Sequence, residues 1–174
     1  DVELDLYGTE HYKMFQEDTE TPIQKSGWIE VVTGSMFSGK TEELIRRIKR
    51  AQIAKLKVQI FKPAIDNRYS EDEIVTHSKS SIKCYTVNDS EELYRLASDF
   101  QVIGVDEAQF FDAGIIEVCN KLANNNTRVI VAGLDMDFSG KPFGPMPQLM
   151  AIAEFVTKVH AICVQTGELA NFSH

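Results

Sequence analysis

Residues 29–41 read IEVVTGSMFSGKT, a short apolar run followed by a loop bounded by two glycines. The last eight of these residues match the pattern GxxxxGK[ST], the P-loop that binds nucleotide phosphates. The apolar run before the loop predicts a buried strand. Residues 41–54 after it (TEELIRRIKRAQIA) predict a helix with one apolar face. Strand, loop and helix in this order are the context that phosphate binding by this motif requires.

The chemistry of the loop explains its composition. Gly34 and Gly39 permit unusual backbone dihedrals and a close approach to phosphate oxygens. The loop amides meet the positive end of the following helix, which favours an anion. Lys40 can reach the β- and γ-phosphates of ATP, and the Thr41 hydroxyl can bind Mg²⁺. The predicted phosphate-binding residues are Gly34, Ser35, Met36, Phe37, Ser38, Gly39, Lys40 and Thr41.

Two carboxylates, Asp106 and Glu107, directly follow the apolar run VIGV at residues 102–105. We expect them at the C-terminal tip of a buried strand, where α/β sheets bind their ligands. Asp106 suits a Walker-B role, holding Mg²⁺ through water, and Glu107 is free to take the hydroxyl proton of an acceptor. An isolated Asp-Glu pair is more often a solvated turn, but a complete P-loop in the same chain favours the catalytic interpretation.

Strands and helices alternate along the remaining chain. We predict a hairpin within residues 64–88, strands at 57–61, 102–105, 128–133 and 158–163, and helices at 90–98, 112–124 and 148–155. Ser90 and Asp112 are the expected helix caps. This alternation predicts an α/β fold: a three-layer, RecA-like P-loop domain with a mostly parallel central sheet. The acidic residues 1–26 lack any sustained period, and we expect a disordered extension there.

Composition narrows the function further. A formal net charge of -8 disfavours a protein that grips long nucleic acid. The three cysteines, Cys84, Cys119 and Cys163, do not form a disulfide framework and fit a reducing compartment. We expect Cys84 and Cys119 to be small buried residues. With no apolar run long enough to span a membrane and no signal-peptide pattern, the expected location is the cytoplasm, without membrane association.

Several classes of P-loop protein remain to be compared. A regulatory GTPase needs an Asn-Lys-x-Asp guanine reader, which the string at residues 120–123 (NKLA) lacks. Residues 106–109 spell the DEAQ box of a helicase, but such helicases use two domains and the chain has room for one. A small kinase is favoured. A single-domain P-loop ATPase, or an ATP-binding module without nucleoside kinase activity, is the alternative.

Aromatic residues cluster after two of the predicted strands. Phe110 follows the carboxylates, and Phe138 and Phe143 follow the strand at 128–133. Their rings can wall in or stack on a flat organic acceptor. Core packing explains them equally well from the residues alone.

Four stretches carry a resemblance to a known family: GSMFSGKTEELIRRIKR, KPAIDNRYS, VIGVDEAQFF and AGLDMDFSGKPFGP. In order and spacing they resemble the type II thymidine kinases, over about residues 27–163. The resemblance implies transfer of the ATP γ-phosphate to the 5′-hydroxyl of deoxythymidine, giving dTMP for nucleotide salvage and DNA synthesis. It implies Mg²⁺ as cofactor, deoxythymidine and ATP as substrates, feedback inhibition by dTTP and a homotetramer.

The resemblance also assigns residues. It implies that Glu107 is the general base, that Asp106 and Thr41 serve the metal, and that Arg68 contacts the donor phosphates. Asp66 matches the family without a defined role, and His77 is expected to be structural. Thymidine is implied to contact Met36, Phe110, Leu134, Phe138 and Phe143.

The C-terminal end departs from the family pattern. The family holds a structural zinc with two CxxC pairs beside a lasso-like loop that closes over thymidine. Cys163 stands at the first zinc-ligand position, Thr166 replaces the second cysteine, and His174 is not expected to bind metal. We therefore predict a kinase domain at residues 27–163, with 164–174 as a remnant of the zinc and lasso region. The donor half of the site is then expected to be complete and the acceptor half incomplete.

Overall fold

The computed structural model of the chain describes residues 27–65, 73–75, 81–162 and 169–170. The strands are β1 (Ile29–Gly34), β2 (Val58–Pro63), β3 (Glu73–Val75), β4 (Ser81–Val87), β5 (Val102–Val105), β6 (Arg128–Leu134), β7 (Phe155–Val159), β8 (Ala161–Ile162) and β9 (Leu169–Ala170). The helices are α1 (Lys40–Ile53), α2 (Ser90–Ala97), α3 (Gly114–Asn124) and α4 (Met146–Ile152), with a 3₁₀ turn at Ala108–Phe110.

One sheet has the strand order β3-β4-β2-β5-β6-β1-β7. Its neighbouring strands pair in parallel except β3, which runs antiparallel to β4 at one edge. The β3–β4 pair is the hairpin predicted within residues 64–88, and β8 and β9 form a separate two-stranded sheet. In the main sheet β6 lies between β1 and β5, so the P-loop and the carboxylate pair leave strands that flank β6. The predicted α/β fold with a mostly parallel sheet is confirmed.

Helices cover both faces of the sheet because side chains alternate along each strand. On β6, Val129 and Val131 enter the core shared with α2, α3 and α4. Ile130 and Ala132 point to the opposite face, into the core formed with α1. Helix α1 buries its apolar stripe there: Leu44, Ile45, Ile48 and Ala51. Each fully buried Leu or Ile contributes about 1.5–3 kcal/mol, so this packing anchors the helix that follows the P-loop.

Several predicted boundaries need correction. The last strand, predicted at 158–163, instead begins at Phe155 because the backbone of 155–159 pairs with β1 from Glu30 onward. The helix predicted at 148–155 covers Met146–Ile152, with Pro147 in its first turn as expected. Strand β2 extends through Pro63 instead of ending at Phe61.

The predicted helix caps also differ. Helix α2 is capped by Asp89, whose carboxylate accepts a hydrogen bond from the Glu92 amide, and Ser90 is its first helical residue. The Asp112 carboxylate accepts bonds from the Ser90 amide and hydroxyl at 2.9 and 2.6 Å. It also accepts from the Gly114 amide at 3.1 Å, so Asp112 joins the starts of α2 and α3. The N-cap residue of α3 is Ala113, not Asp112 as predicted.

Some sequence predictions fall outside the described residues: the extension at 1–26, Asp66, Arg68, His77, Cys163, Thr166 and His174. Within the described ranges, none of the helices has the length and apolar character needed to cross a membrane.

Candidate active site

The P-loop leaves β1 and leads directly into α1. Gly39 occupies the N-cap position of α1 with φ 88°, a left-handed conformation that favours glycine, and no side chain caps the helix there. The first amides of a helix lack intrahelical partners and carry partial positive charge. The loop therefore presents uncapped donors, which suits a phosphate group.

Lys40 lies against the P-loop backbone. Its Nζ donates a hydrogen bond to the Ser35 carbonyl oxygen at 2.6 Å and lies 3.5 Å from the Ser38 hydroxyl. Burial lowers the pKa of Lys40, and the negative charges of Glu107, Asp106, Asp135 and Glu42 partly oppose that effect. Lys40 is thus the cation that the loop provides for an anionic ligand.

Thr41 and Asp106 meet across the sheet edge. The Thr41 hydroxyl lies 3.4 and 3.3 Å from the two carboxylate oxygens of Asp106. Asp106 is buried, and its amide donates to the Phe61 carbonyl at 2.8 Å, which joins the tip of β5 to β2. Burial, together with the charge of Glu107, raises the pKa of Asp106 to about 6. Oxygen donors of this kind suit a hard divalent cation, whose positive charge would favour the ionised carboxylate.

Glu107 takes an uncommon backbone conformation. Its φ of 52° and ψ of 38° are left-handed, which a residue with a side chain seldom adopts. Its carboxylate accepts a hydrogen bond from the Gln109 amide nitrogen at 2.7 Å. Backbone conformations of this kind concentrate at functional sites, where the surrounding structure maintains them.

One cavity of about 260 Å³ connects these groups. It lies at the carboxyl edge of β1, β5 and β6, as the strand order requires. Its lining combines P-loop residues, both carboxylates and apolar side chains: Met36, Phe37, Gly39, Lys40, Thr41, Glu42, Asp106, Glu107, Gly133 and Leu134. Phosphate-binding groups therefore open onto the same space as the candidate base.

The three candidate aromatic residues do not behave as simple core residues. Phe110 is 47% exposed and Phe138 is 89% exposed, whereas Phe143 is half-buried. The rings of Phe110 and Phe143 make an edge-to-face contact with centroids 5.4 Å apart. Core packing is thus wrong for Phe110 and Phe138. None of Phe110, Phe138 and Phe143 is among the residues lining the cavity, whereas the other two predicted thymidine contacts, Met36 and Leu134, are.

Sequence reasoning missed three residues near the site. Gln109 was considered only as a letter of the DEAQ string, yet its side chain contacts the candidate base. Asp135 and Lys158 form an ion pair, with Lys158 Nζ 2.8 Å from Asp135 Oδ2, although without the geometry of a hydrogen bond. The available signal for Asp135 was its position directly after β6, the strand between the P-loop strand and the carboxylate strand.

The cysteines that the structure describes are not part of the site. Cys84 and Cys119 are buried, as predicted, and neither is in a disulfide; burial raises the pKa of Cys119 to about 12. Among the described residues, no group of three or more His, Cys, Asp or Glu side chains is arranged to hold a metal ion. The predicted zinc ligand Cys163 lies outside those residues.

Comparison with known proteins shows the family of the chain. Residues 27–174 match the family model described as thymidine kinase. The thymidine kinase of Bacteroides fragilis (strain YCH46) is 60% identical over 161 residues, covering 92% of this chain and 81% of that protein. The thymidine kinase of Rhodothermus sp. (strain ITI 518) is 56% identical over 147 residues, covering 84% of this chain and 69% of that protein.

A solved structure shares the fold. The genome packaging NTPase B204 from Sulfolobus turreted icosahedral virus 2, in complex with AMPPCP, aligns with a TM-score of 0.54 at 15% identity. The alignment covers 78% of this chain and 77% of that one. At such low identity the likeness shows the P-loop NTPase fold alone.

Proposed function

The chain belongs to the thymidine kinase family, and we propose that the cavity at the carboxyl edge of its sheet is where the ATP γ-phosphate passes to the 5′-hydroxyl of deoxythymidine. It is an ATP-dependent nucleoside kinase with thymidine and ATP as substrates. One observation carries the assignment of the site: the P-loop, Asp106, Glu107 and an apolar wall line the same cavity. A phosphoryl donor and a hydroxyl acceptor must meet in such a space.

Residues 34–41 form the donor side. The uncapped amides at the start of α1 bind the phosphates, and Lys40 exchanges its bond to the Ser35 carbonyl for phosphate oxygens. The Ser35 hydroxyl supports this assignment, because it is a buried polar group without a hydrogen-bond partner in the described structure. Buried polar groups that lack a partner are uncommon unless a ligand or water completes them.

Thr41 and Asp106 would hold the divalent cation, which we propose to be Mg²⁺. Their oxygens lie within 3.4 Å of each other, and hydroxyl and carboxylate are the ligand types that Mg²⁺ accepts. When bound, the cation neutralises negative charge on the phosphates. Thr41 and Asp106 supply the oxygens for the cation, and the Asp106 carboxylate is buried away from solvent.

Glu107 acts as the general base. It takes the proton of the 5′-hydroxyl as that oxygen forms its bond to the γ-phosphorus and the bond to ADP breaks. Two features support this role: Glu107 lines the cavity, and it lies one residue beyond the proposed metal ligand. Met36 and Leu134 contribute the apolar wall for the acceptor, and Phe110, Phe138 and Phe143 are proposed to complete it.

The remaining proposals rest on the family resemblance. Arg68 is proposed to contact the donor phosphates, and Cys163 is the candidate zinc ligand; both lie outside the described residues. A homotetramer, feedback inhibition by dTTP and a cytoplasmic location stay predictions, as do the domain limits at residues 27–163.

The test is dTMP formation by the full chain, followed by chromatography with Mg·ATP and a panel of nucleosides. Glu107→Gln should lower kcat by a factor of roughly 10²–10⁴, the usual contribution of a positioned base. The Kd for ATP should stay within about twofold, because the P-loop is untouched. Glu117→Gln is the matched control: Glu117 pairs with Lys121 on an exposed face of α3, and its loss should leave kcat unchanged.

Two results would contradict the proposal in different ways. Turnover of Glu107→Gln at the wild-type rate would remove Glu107 from the base role. ATP hydrolysis without phosphorylation of any pyrimidine nucleoside would favour the ATPase alternative over the kinase.

A further inference from the structure

We propose that Gln109 is a positioning residue that holds the Glu107 carboxylate in its reactive orientation; this inference rests on the proposed role of Glu107 as base. Gln109 is only 3% exposed, although it belongs to the short turn after β5. Its amide nitrogen donates to Glu107 Oε2 at 2.7 Å. Its amide oxygen accepts from the Leu134 backbone amide at 3.0 Å.

The bond to the Leu134 amide determines which end of the Gln109 amide faces Glu107. The Leu134 amide is a backbone N–H and can only donate, so the Gln109 oxygen must face it. The NH₂ group of Gln109 is then directed at Glu107, and exchanging its oxygen and nitrogen would break both bonds. The direction of donation therefore follows from the backbone of β6.

Gln109 also has little room to move. A Cβ atom at Gly133 would lie 2.9 Å from the Gln109 amide oxygen and 2.8 Å from the Met146 sulfur. Position 133 thus has no side chain where Gln109 packs against the end of β6, and any larger residue there would displace the Gln109 amide. A side chain enclosed in this way holds its partner in one geometry.

The chemistry explains why an amide suits this position. As the proposed base, Glu107 must present one carboxylate oxygen to the 5′-hydroxyl, and it lines the cavity in which that hydroxyl would lie. A neutral donor occupies the other oxygen without adding a positive charge, which would make the carboxylate a weaker base. Correct orientation of a reacting group is worth orders of magnitude in rate, and small displacements lose it.

If Gln109 served only to join the ends of β5 and β6 through the Leu134 amide, Gln109→Met should lose activity and Gln109→Glu should keep it. The positioning role predicts that both variants lose activity. Gln109→Glu keeps an acceptor for the Leu134 amide but cannot donate to Glu107. Gln109→Met has similar volume and keeps neither bond. Because two adjacent buried carboxyls hold a shared proton well above the usual carboxyl pKa, kcat of Gln109→Glu is followed from pH 7 to about pH 9.5. Once both carboxyls are ionised we expect kcat to fall by roughly 10- to 100-fold relative to wild type, with the Kd for ATP unchanged.

Two further variants complete the experiment. In a Glu107→Gln background, Gln109→Met should cause little additional loss of kcat, because residues acting through one group are not additive. Gln59→Met is the control for losing a buried glutamine: Gln59 donates to the Ile60 and Lys83 carbonyl oxygens at 2.9 and 3.0 Å. It should lower stability and leave kcat near wild type.

The outcomes separate the two claims. If Glu107→Gln is inactive but Gln109→Glu keeps kcat within about twofold of wild type, the positioning role is wrong and the base role stands. If Glu107→Gln keeps its activity, the base role fails and the inference about Gln109 fails with it. A large loss of kcat in Glu107→Gln and in Gln109→Glu, with little additional loss when Gln109→Met is added to Glu107→Gln, supports both the base role and the positioning role.

Discussion

Replacing Glu30 with glutamine should destabilise the fold without touching the active site. Glu30 is on β1 and only 6% exposed. Arg128 binds both of its carboxylate oxygens, Arg47 reaches it at 3.0 Å, and the Trp28 indole donates to it at 2.9 Å. A glutamine of the same shape can still accept from Trp28. The substitution removes, however, the only negative charge that the described structure places in contact with Arg128.

The expected loss of stability depends on which partners each arginine retains after the substitution. Breaking a buried ion pair by removing one partner costs about 3–5 kcal/mol. Arg47 retains Glu43 at 2.9 Å and the Thr157 hydroxyl at 3.1 Å, so its loss is small. The side chain of Arg128 is 24% exposed, and water compensates part of its charge. We therefore expect the free energy of unfolding to fall by about 2–3 kcal/mol, somewhat below the fully buried case.

The loss should depend on pH. Burial raises the pKa of Glu30, but Arg128, Trp28 and Arg47 together outweigh burial and hold the pKa below its ordinary value of 4.5. A carboxyl with a lowered pKa in the folded state stabilises the fold above its unfolded pKa, and that stabilisation disappears as the pH falls through the folded pKa. The difference between wild type and Glu30→Gln should thus be constant from about pH 8 to 6 and shrink below about pH 4.5.

Urea unfolding followed by far-ultraviolet circular dichroism measures this difference without relying on Trp28, the single tryptophan beside the substitution. Glu43→Gln is the control, because Glu43 pairs with Arg46 and Arg47 on a more exposed helix surface and should cost less than about 1 kcal/mol. If Glu30→Gln unfolds within about 0.5 kcal/mol of wild type, or if its loss persists unchanged at pH 4, the ion-pair explanation is refuted.

Two other predictions concern single groups. Lys40→Met should weaken ATP binding roughly 10- to 100-fold, the loss of about 1.5–3 kcal/mol expected for charged hydrogen bonds, and an unchanged Kd by calorimetry would contradict the donor-site assignment. Cys119 should resist a maleimide in the native protein at pH 8 and react once the chain is unfolded in urea, because burial raises the pKa of its thiol to about 12; peptide mapping that finds native labelling of Cys119 would contradict the buried placement.

The sequence predicted the strand, loop and helix of the P-loop because the determinants of these elements are local. In residues 34–41 the glycines, Lys40 and Thr41 are neighbours in the chain, and their motif specifies backbone and chemistry together. Asp106 and Glu107 were located by the buried strand that precedes them. These features need no knowledge of which strands are adjacent.

Features that depend on tertiary contacts were not predictable in this way. The contact between Gln109 and the Leu134 amide joins residues 25 positions apart and exists only because β5 and β6 are neighbours. Strand β7 was misplaced because its register comes from pairing with β1, whereas its exposed Phe155 and Val156 follow no inward–outward pattern. Asp89, not Ser90, caps α2, since Asp112 engages both the amide and the hydroxyl of Ser90.

The acceptor side of the site depends on two segments that support each other. The turn after β5 provides Glu107 and Phe110, the end of β6 provides Leu134, and the loop after β6 provides Phe143. Gln109 joins the two segments through the Leu134 amide, and Phe110 joins them again through its edge-to-face contact with Phe143. The proposed base and the proposed wall of the thymidine pocket therefore share one support. If Glu107 and these rings have the proposed roles, a displacement of either segment would alter both the acceptor wall and the orientation of the base.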